Sequence, residues 1–316
     1  MNFRLRAGFF TLFLVLSLIG FGQNDFFFNH YMFNPTYYNP AYAGVETKAF
    51  AAAHHRSQWV GYEASADPGG PPATQLLSVV VPIQSVLSGT GISILNDNLP
   101  GLRSVQARLA LSVKKDFQFG ELSFGLSPSL NIQTLDPGDF RPSQIEDFGS
   151  RESIVKPNLH LGVFFQSEKN YFVGLSAENI LEPTFNFGGS EEGDYFKRYY
   201  LLYGGTNIGI SRGLILKPTV LLRSDFNSMS FQLGGIATYQ ERMWAGLAFQ
   251  RSESITLLLG YSFLENNKLK AGYSLDYVVQ DRDAKQSTSH EIFLRYDLPN
   301  LIFGGRKAVK TPRFTF

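Results

Sequence analysis

Leu122-Ser123-Phe124-Gly125-Leu126-Ser127-Pro128-Ser129-Leu130-Asn131-Ile132-Gln133 sets Leu122, Phe124, Leu126, Leu130 and Ile132 on one side of an extended chain. Ser123, Gly125, Ser127, Ser129, Asn131 and Gln133 fall on the other. Successive strand residues point to opposite faces, so this period of two reads as a strand with one greasy face and one polar face. The same division recurs in Val105/Ala107/Leu109/Leu111/Val113 against Gln106/Arg108/Ser112. It returns in Leu269/Ala271/Tyr273/Leu275/Tyr277 against Lys270/Gly272/Ser274/Asp276, and in Ile292/Leu294/Tyr296 against Glu291/Arg295. Charges therefore stand in mid-strand on the polar face.

Extended outward from that stretch, the pattern gives fourteen strands: 47–56, 73–82, 89–96, 102–115, 117–134, 157–168, 170–178, 196–209, 214–223, 229–240, 242–251, 254–264, 268–279 and 287–298. A soluble sandwich also alternates, so alternation alone leaves the choice open. The connections separate the two. Tight turns at 167–170, 210–213, 240–242 and 265–268 interleave with long stretches at 57–72, 135–156, 179–195 and 280–286. An even strand count with turns at one end and loops at the other is the plan of an outer-membrane barrel with periplasmic termini. Aromatics at strand ends on the apolar face (Phe165, Tyr171, Phe231, Tyr239, Phe249, Tyr261, Phe263, Tyr277 and Tyr296) point the same way, because bilayer interfaces select such rings. The fold expected is all-β: a closed, transmembrane antiparallel barrel of about 14 strands with an N-terminal plug-like segment. A soluble β-sandwich binding carbohydrate is the remaining alternative.

Composition agrees. The chain of 316 residues is 44% hydrophobic and 17% charged, has no Cys, and balances 28 Lys+Arg against 27 Asp+Glu. It can bury a large apolar area, which excludes disorder and a disulfide-stapled mini-domain, and its near-neutral charge argues against nucleic acid as a partner. Residues 1–22 carry Arg4 and Arg6, an apolar run from Ala7 to Phe21, and Gly20 and Gly22, the three-part plan of a signal peptide cleaved near Gly22. The apolar run is shorter than the ~20 residues a spanning helix needs. The organisation expected is signal peptide 1–22, aromatic N-terminal segment 23–46 (plug or periplasmic contact), barrel 47–298, and basic periplasmic tail 299–316.

Fourteen strands leave a lumen that something must occupy. Inside residues 31–44, Pro35, Pro40 and Gly44 interrupt regular structure while Tyr31, Phe33, Tyr37, Tyr38 and Tyr42 supply rigid contact area. Tyr31, Met32, Phe33, Asn34, Tyr38, Asn39 and Tyr42 are therefore candidates for a plug, or for a partner contact, and Trp59 joins them. Lumen candidates are Arg108, Glu178, Arg223, Asp276, Glu291 and Arg295, with Lys217, Gln232 and Gln250. Rings of charge line selective pores, but mixed signs favour an internal salt-bridge network. The tail carries Arg306, Lys307, Lys310 and Arg313 with no acidic residue, a candidate anchor for an acidic partner or a disordered end.

No catalytic, metal or cofactor site is expected. Gly209-Ile210-Ser211-Arg212-Gly213 spells G-x-S-x-G but lies in a tight turn between strands, not on a strand-to-helix elbow. His54 and His55 are adjacent and point to opposite faces, while His30, His160 and His290 are scattered.

The run Tyr31-Met32-Phe33-Asn34-Pro35 followed by Tyr38-Asn39-Pro40-Ala41-Tyr42-Ala43-Gly44 resembles the opening of the PorP/SprF family of Bacteroidetes outer-membrane proteins. Arg56-Ser57-Gln58-Trp59-Val60-Gly61, Asn96-Asp97 with Gly101, Ser289-His290-Glu291-Ile292 and Thr311-Pro312-Arg313-Phe314 extend the similarity over essentially the whole mature chain. His30 stands where the family usually has Gln, and 135–156 and 179–195 are individual to this chain. The resemblance implies a non-enzymatic component of type IX secretion and gliding motility. It implies as partners a secreted surface adhesin's C-terminal domain, other secretion subunits (outer-membrane or periplasmic lipoproteins), and the lipid bilayer with its lipopolysaccharide. A channel or porin for small solutes is the alternative function.

Overall fold

The computed structural model describes residues 28–61, 71–83, 86–136, 151–187, 194–250, 254–279 and 286–299. Consecutive strands pair as antiparallel hairpins: β1 (Phe50–Ser57), β2 (Ala73–Pro82), β3 (Gly89–Leu99), β4 (Leu102–Phe117), β5 (Gly120–Leu135), β6 (Glu152–Ser167) and β7 (Tyr171–Glu178). A two-stranded hairpin, β8 (Thr184–Phe185) and β9 (Asp194–Tyr195), stands apart from the main sheet. The sheet continues through β10 (Tyr199–Thr206), β11 (Ile208–Ser211), β12 (Leu214–Ser224), β13 (Met229–Tyr239), β14 (Met243–Gln250), β15 (Ser254–Phe263), β16 (Leu269–Val278) and β17 (Thr288–Asp297).

The ring closes where the first strand meets the last, from Phe50 opposite Asp297 to Ser57 opposite His290. The pairs Gly205–Thr219 and Ile208–Leu216 keep one register, so β11 prolongs β10 along β12 past a break at Asn207. Fourteen antiparallel strands thus surround the lumen, each overlapping its expected position. The β4–β5 ladder skips Pro128, which has no N–H to give.

The two faces have the environments their residue types demand. Outward positions such as Leu77, Ile92, Leu126, Leu130, Leu257 and Ile292 are exposed, while Ser78, Ser93, Ser127, Ser129, Thr256 and Glu291 are buried inside. That is the reverse of a soluble protein. A closed sheet satisfies its backbone without water, and an apolar exterior matches hydrocarbon, so the pattern defines a membrane barrel. Phe117, Tyr171, Tyr239, Tyr261, Phe263 and Tyr296 stand outward near one rim, and Tyr200, Phe226, Phe249 and Tyr277 near the other. These are two aromatic girdles.

Both ends of the strand meander lie at one rim, where Leu298 N–H donates to the Ala49 carbonyl. The strands there are joined by short connections, including 118–119, 168–170 and 240–242. The opposite rim carries the long stretches 58–72, 136–151, 179–198 and 279–287, but also tight turns at Pro100-Gly101 and 225–228. Gly101 adopts φ 73°, open to glycine, and the Asp225 carboxylate accepts from the N–H groups of Asn227 (3.0 Å) and Ser228 (2.6 Å). Loop length is therefore sorted strictly at one rim and mixed at the other.

Candidate functional site: the occupied lumen

Residues 28–45 run inside the barrel as three short 3-10 turns, Tyr31–Phe33, Pro35–Tyr37 and Pro40–Gly44. Proline fixes φ and needs no N–H partner, so Pro35 and Pro40 each open a turn at its first position. Asn39 caps the last turn, its Oδ1 accepting from Ala41 N–H at 3.0 Å. So short and irregular a segment has little stability of its own, and its conformation is set by what surrounds it.

One wall receives backbone. A Cβ at Gly89 would fall on the Ala43 carbonyl, one at Gly125 on the Pro40–Ala41 peptide, and one at Gly162 on the Asn39 side chain. These inward positions on β3, β5 and β6 are thus bare so that Asn39–Gly44 can lie against the sheet. Asn39 Nδ2 donates to the carbonyls of Val163 (2.9 Å) and Leu175 (3.1 Å), bridging β6 and β7.

The facing wall receives charge. Glu291 on β17 accepts the backbone N–H groups of Asn29 (2.6 Å) and His30 (3.0 Å), and its Oε1 lies 2.9 Å from His30 Nδ1. His54 Nδ1 is 3.6 Å and Arg56 Nη1 3.8 Å from the same carboxylate. Arg56 also pairs with Asp276 at 2.6 Å, which accepts from Asn29 Nδ2 (2.7 Å) and Thr256 Oγ1 (2.6 Å). All these side chains are buried, and buried charge persists only where partners replace water.

Further anchors are spread around the ring. Arg108 Nη1 donates to the Tyr37 carbonyl (3.0 Å) and to Glu178 (2.8 Å), whose Oε2 lies 2.7 Å from His160 Nδ1. Arg295 Nη1 donates to the Phe33 carbonyl (2.9 Å), and the guanidinium is bracketed by Glu46 and Asp297. Asn34 donates to Ser78 Oγ (2.9 Å), and Ser176 Oγ to the Tyr38 carbonyl (2.7 Å). Tyr31 Oη lies 2.7 Å from Thr219 Oγ1, and burial pushes its phenol up to about 12 while that hydrogen bond pulls the other way. Rings fill the remaining space: Tyr31 meets Tyr203, Phe33 meets Trp244 and Phe293, and Tyr42 meets Phe164, with centroids 4.9–5.6 Å apart.

Of the candidates read from sequence, Tyr31, Met32, Phe33, Asn34, Tyr38, Asn39 and Tyr42 lie in this internal segment, all but Phe33 and Tyr42 buried. Arg108, Glu178, Asp276, Glu291 and Arg295 face it as paired ions of both signs, and Arg223 stands 3.4 Å over the Tyr199 ring. Lys217 lies 5.3 Å over the Phe172 ring. Trp59 is apart from them, at the long-loop rim, where its backbone N–H donates to Ser289 Oγ at 3.0 Å. Arg306, Lys307, Lys310 and Arg313 lie outside the described residues. Sequence reading did not assign Asn29, His30, Glu46, His54, Arg56 and His160 to the lumen, where they complete the network. Inward parity was available for His54 and Arg56, which alternate with the outward His55.

An antiparallel barrel with an apolar belt, aromatic girdles and a filled polar lumen belongs to the class of outer-membrane β-barrels. The likeness to a solved structure supports that fold: the Ralstonia pickettii toluene transporter TbuX superposes with a TM-score of 0.51 at 11% identity, covering 85% of this chain and 93% of that one. A Pseudomonas aeruginosa FadL homologue covers 82% of this chain and 92% of its own at 14% identity, with a TM-score of 0.49. No curated protein sequence matches the chain. The family of type IX secretion system membrane proteins PorP/SprF matches residues 20–296, and the chain belongs to it.

Proposed function

We propose that this protein is a non-enzymatic outer-membrane component of the type IX system that retains a secreted adhesin at the cell surface. In this reading the adhesin's C-terminal region sits at the long-loop rim, and apparatus lipoproteins dock at the turn rim with the basic tail. Adhesin display and gliding then depend on both rims, and both termini are periplasmic. The observation that carries the reading is the occupied lumen. Residues 28–45 are tied to one wall by amide-to-carbonyl hydrogen bonds and to the facing wall by charged side chains, so they act as a fixed plug and leave the rims as the working surfaces. Membership of a secretion family supplies the system in which those rims work.

Deleting residues 137–150 and 186–193 tests it. Cells should keep the folded barrel but shed the adhesin into the medium; full retention with both loops gone refutes the docking role. The small-solute channel predicts steady conductance in planar bilayers with residues 28–45 in place, whereas the plug reading predicts a closed barrel that conducts once they are deleted.

A further inference from the structure

The first turn of the internal segment is held by a buried ion cluster that contains two imidazoles. His30 Nδ1 lies 2.9 Å and His54 Nδ1 3.6 Å from the same Glu291 oxygen, with all three side chains closed off from solvent. Arg56 pairs with Asp276 at 2.6 Å and stands 3.8 Å from Glu291. Tyr38, packed at the same end of the segment, has its hydroxyl engaged by the Phe28 N–H at 3.0 Å.

The charge count of this cluster is odd among the described residues. Arg56 opposes two carboxylates, Asp276 and Glu291, so two neutral imidazoles leave one net negative charge, one protonated imidazole leaves none, and two leave one net positive charge. The other buried group of this kind, Arg108 with Glu178 and His160, balances with its imidazole neutral. Buried charge is costly unless compensated, so the docked cluster has a place for one proton and none for a second. Hydrogen bonding does not explain the second imidazole either. Neither ring nitrogen of His54 has a hydrogen-bond partner among the described residues; the ring packs between Phe28 and Phe293, its centroid 4.9 Å from each.

We infer that this cluster is an acid-sensitive latch: protonation of both His30 and His54 releases the first turn of the internal segment from β1, β16 and β17. The inference rests on the plug reading above. In the released state both imidazoles meet water and ionise independently, each near pH 6.5. Below that pH the released state binds two protons and the docked state one, so release takes up a proton and docking weakens as pH falls. One proton of difference between pH 6.5 and pH 5 moves the equilibrium toward release by roughly tenfold.

The test uses Thr36→Cys, which puts a single thiol at a buried position of the segment. Its rate with 4,4′-dithiodipyridine, a reagent active in acid, is measured in the detergent-solubilised full chain and divided at each pH by that of a free cysteine peptide. The corrected rate should rise about tenfold from pH 6.5 to pH 5. His54→Phe keeps a ring between Phe28 and Phe293, removes one proton site, and should abolish the rise. Folding is read by heat-modifiable gel mobility; if His54→Phe does not fold, His30→Gln, which keeps an N–H donor for Glu291, should abolish the rise in its place. A flat profile in the parent, or a rise that persists in the folded histidine variant, overturns the latch, and the second result places the acid response elsewhere, as at His160. The plug reading fails separately. A thiol as reactive at pH 6.5 as the free peptide refutes the docked segment itself, whereas a thiol protected at both pH values leaves the plug standing and refutes the latch alone.

Discussion

Gly125→Ala adds one methyl group to the inner wall, and its effects on the barrel and on the internal segment have opposite signs. Alanine suits a strand interior better than glycine by about 0.5–1 kcal/mol, so the barrel itself should be unharmed. The new Cβ, however, coincides with the Pro40–Ala41 peptide, which must move away from β5. Moving it breaks the two bonds from Asn39 Nδ2 to β6 and β7 and the Asn39 cap on Ala41. At about 1 kcal/mol each, the docked state loses about 3 kcal/mol, which is roughly a hundredfold in the opening equilibrium. The chain has no cysteine, so Thr36→Cys places a single thiol on the segment at a site only 4% exposed, where the native hydroxyl has no partner among the described residues. Labelling by a polyethylene-glycol maleimide should be slow in Thr36→Cys and about a hundredfold faster with Gly125→Ala added. An unchanged rate in a folded double variant would show that the inner glycines do not seat the segment.

Glu291→Ala removes the acceptor for two backbone N–H groups and leaves His30 and His54 without their carboxylate; docking should weaken by about 3–5 kcal/mol and the barrel should conduct, with Glu291→Gln milder because its amide oxygen still accepts. A closed, non-conducting Glu291→Ala barrel would refute that role. The docked Tyr31 phenol ionises at about 12 and a released one near 10, so its contribution to docking is intact below about pH 10 and is lost as pH rises through 12. Thr36→Cys should therefore become accessible to a thiosulfonate in that window, and Tyr31→Phe should remove Tyr31's share of the rise. Leu257→Arg on the lipid face of β15, 43% exposed and in mid-strand, should cost about 2–4 kcal/mol in denaturant unfolding from lipid vesicles. A loss below about 0.5 kcal/mol would place that strand away from the bilayer centre.

The barrel was legible because period-two alternation is a local property: each residue's face follows from its neighbour's, and a bilayer outside with polar groups inside sharpens the contrast. Arg108, Asp276, Glu291 and Arg295 could be read as inward for that reason. Which of them would meet could not, since His30 reaches Glu291 across most of the sequence and His54 comes to the same carboxylate from the first strand. Scattered histidines are uninformative until ring closure brings β1 beside β17. Gly125 was visible only as a member of a polar face; that Gly89 and Gly125 are bare to admit backbone, and Gly162 to admit the Asn39 side chain, depends on three dimensions. The short gaps 97–101 and 224–228 stood in the strand pattern, but the expectation of long loops at this rim did not hold there, because Gly101 with φ 73° and the Asp225 carboxylate close tight turns.

The glycine wall belongs to β3, β5 and β6, whereas the carboxylates that hold Asn29 and His30 belong to β16 and β17. The seat and the clasp of the internal segment thus come from strands far apart in the sequence. The pairing of β1 with β17 does two things at once: it removes the unpaired edge of the sheet and sets Glu291 beside the start of the segment. The seam that closes the wall is therefore also the seam that holds what fills it.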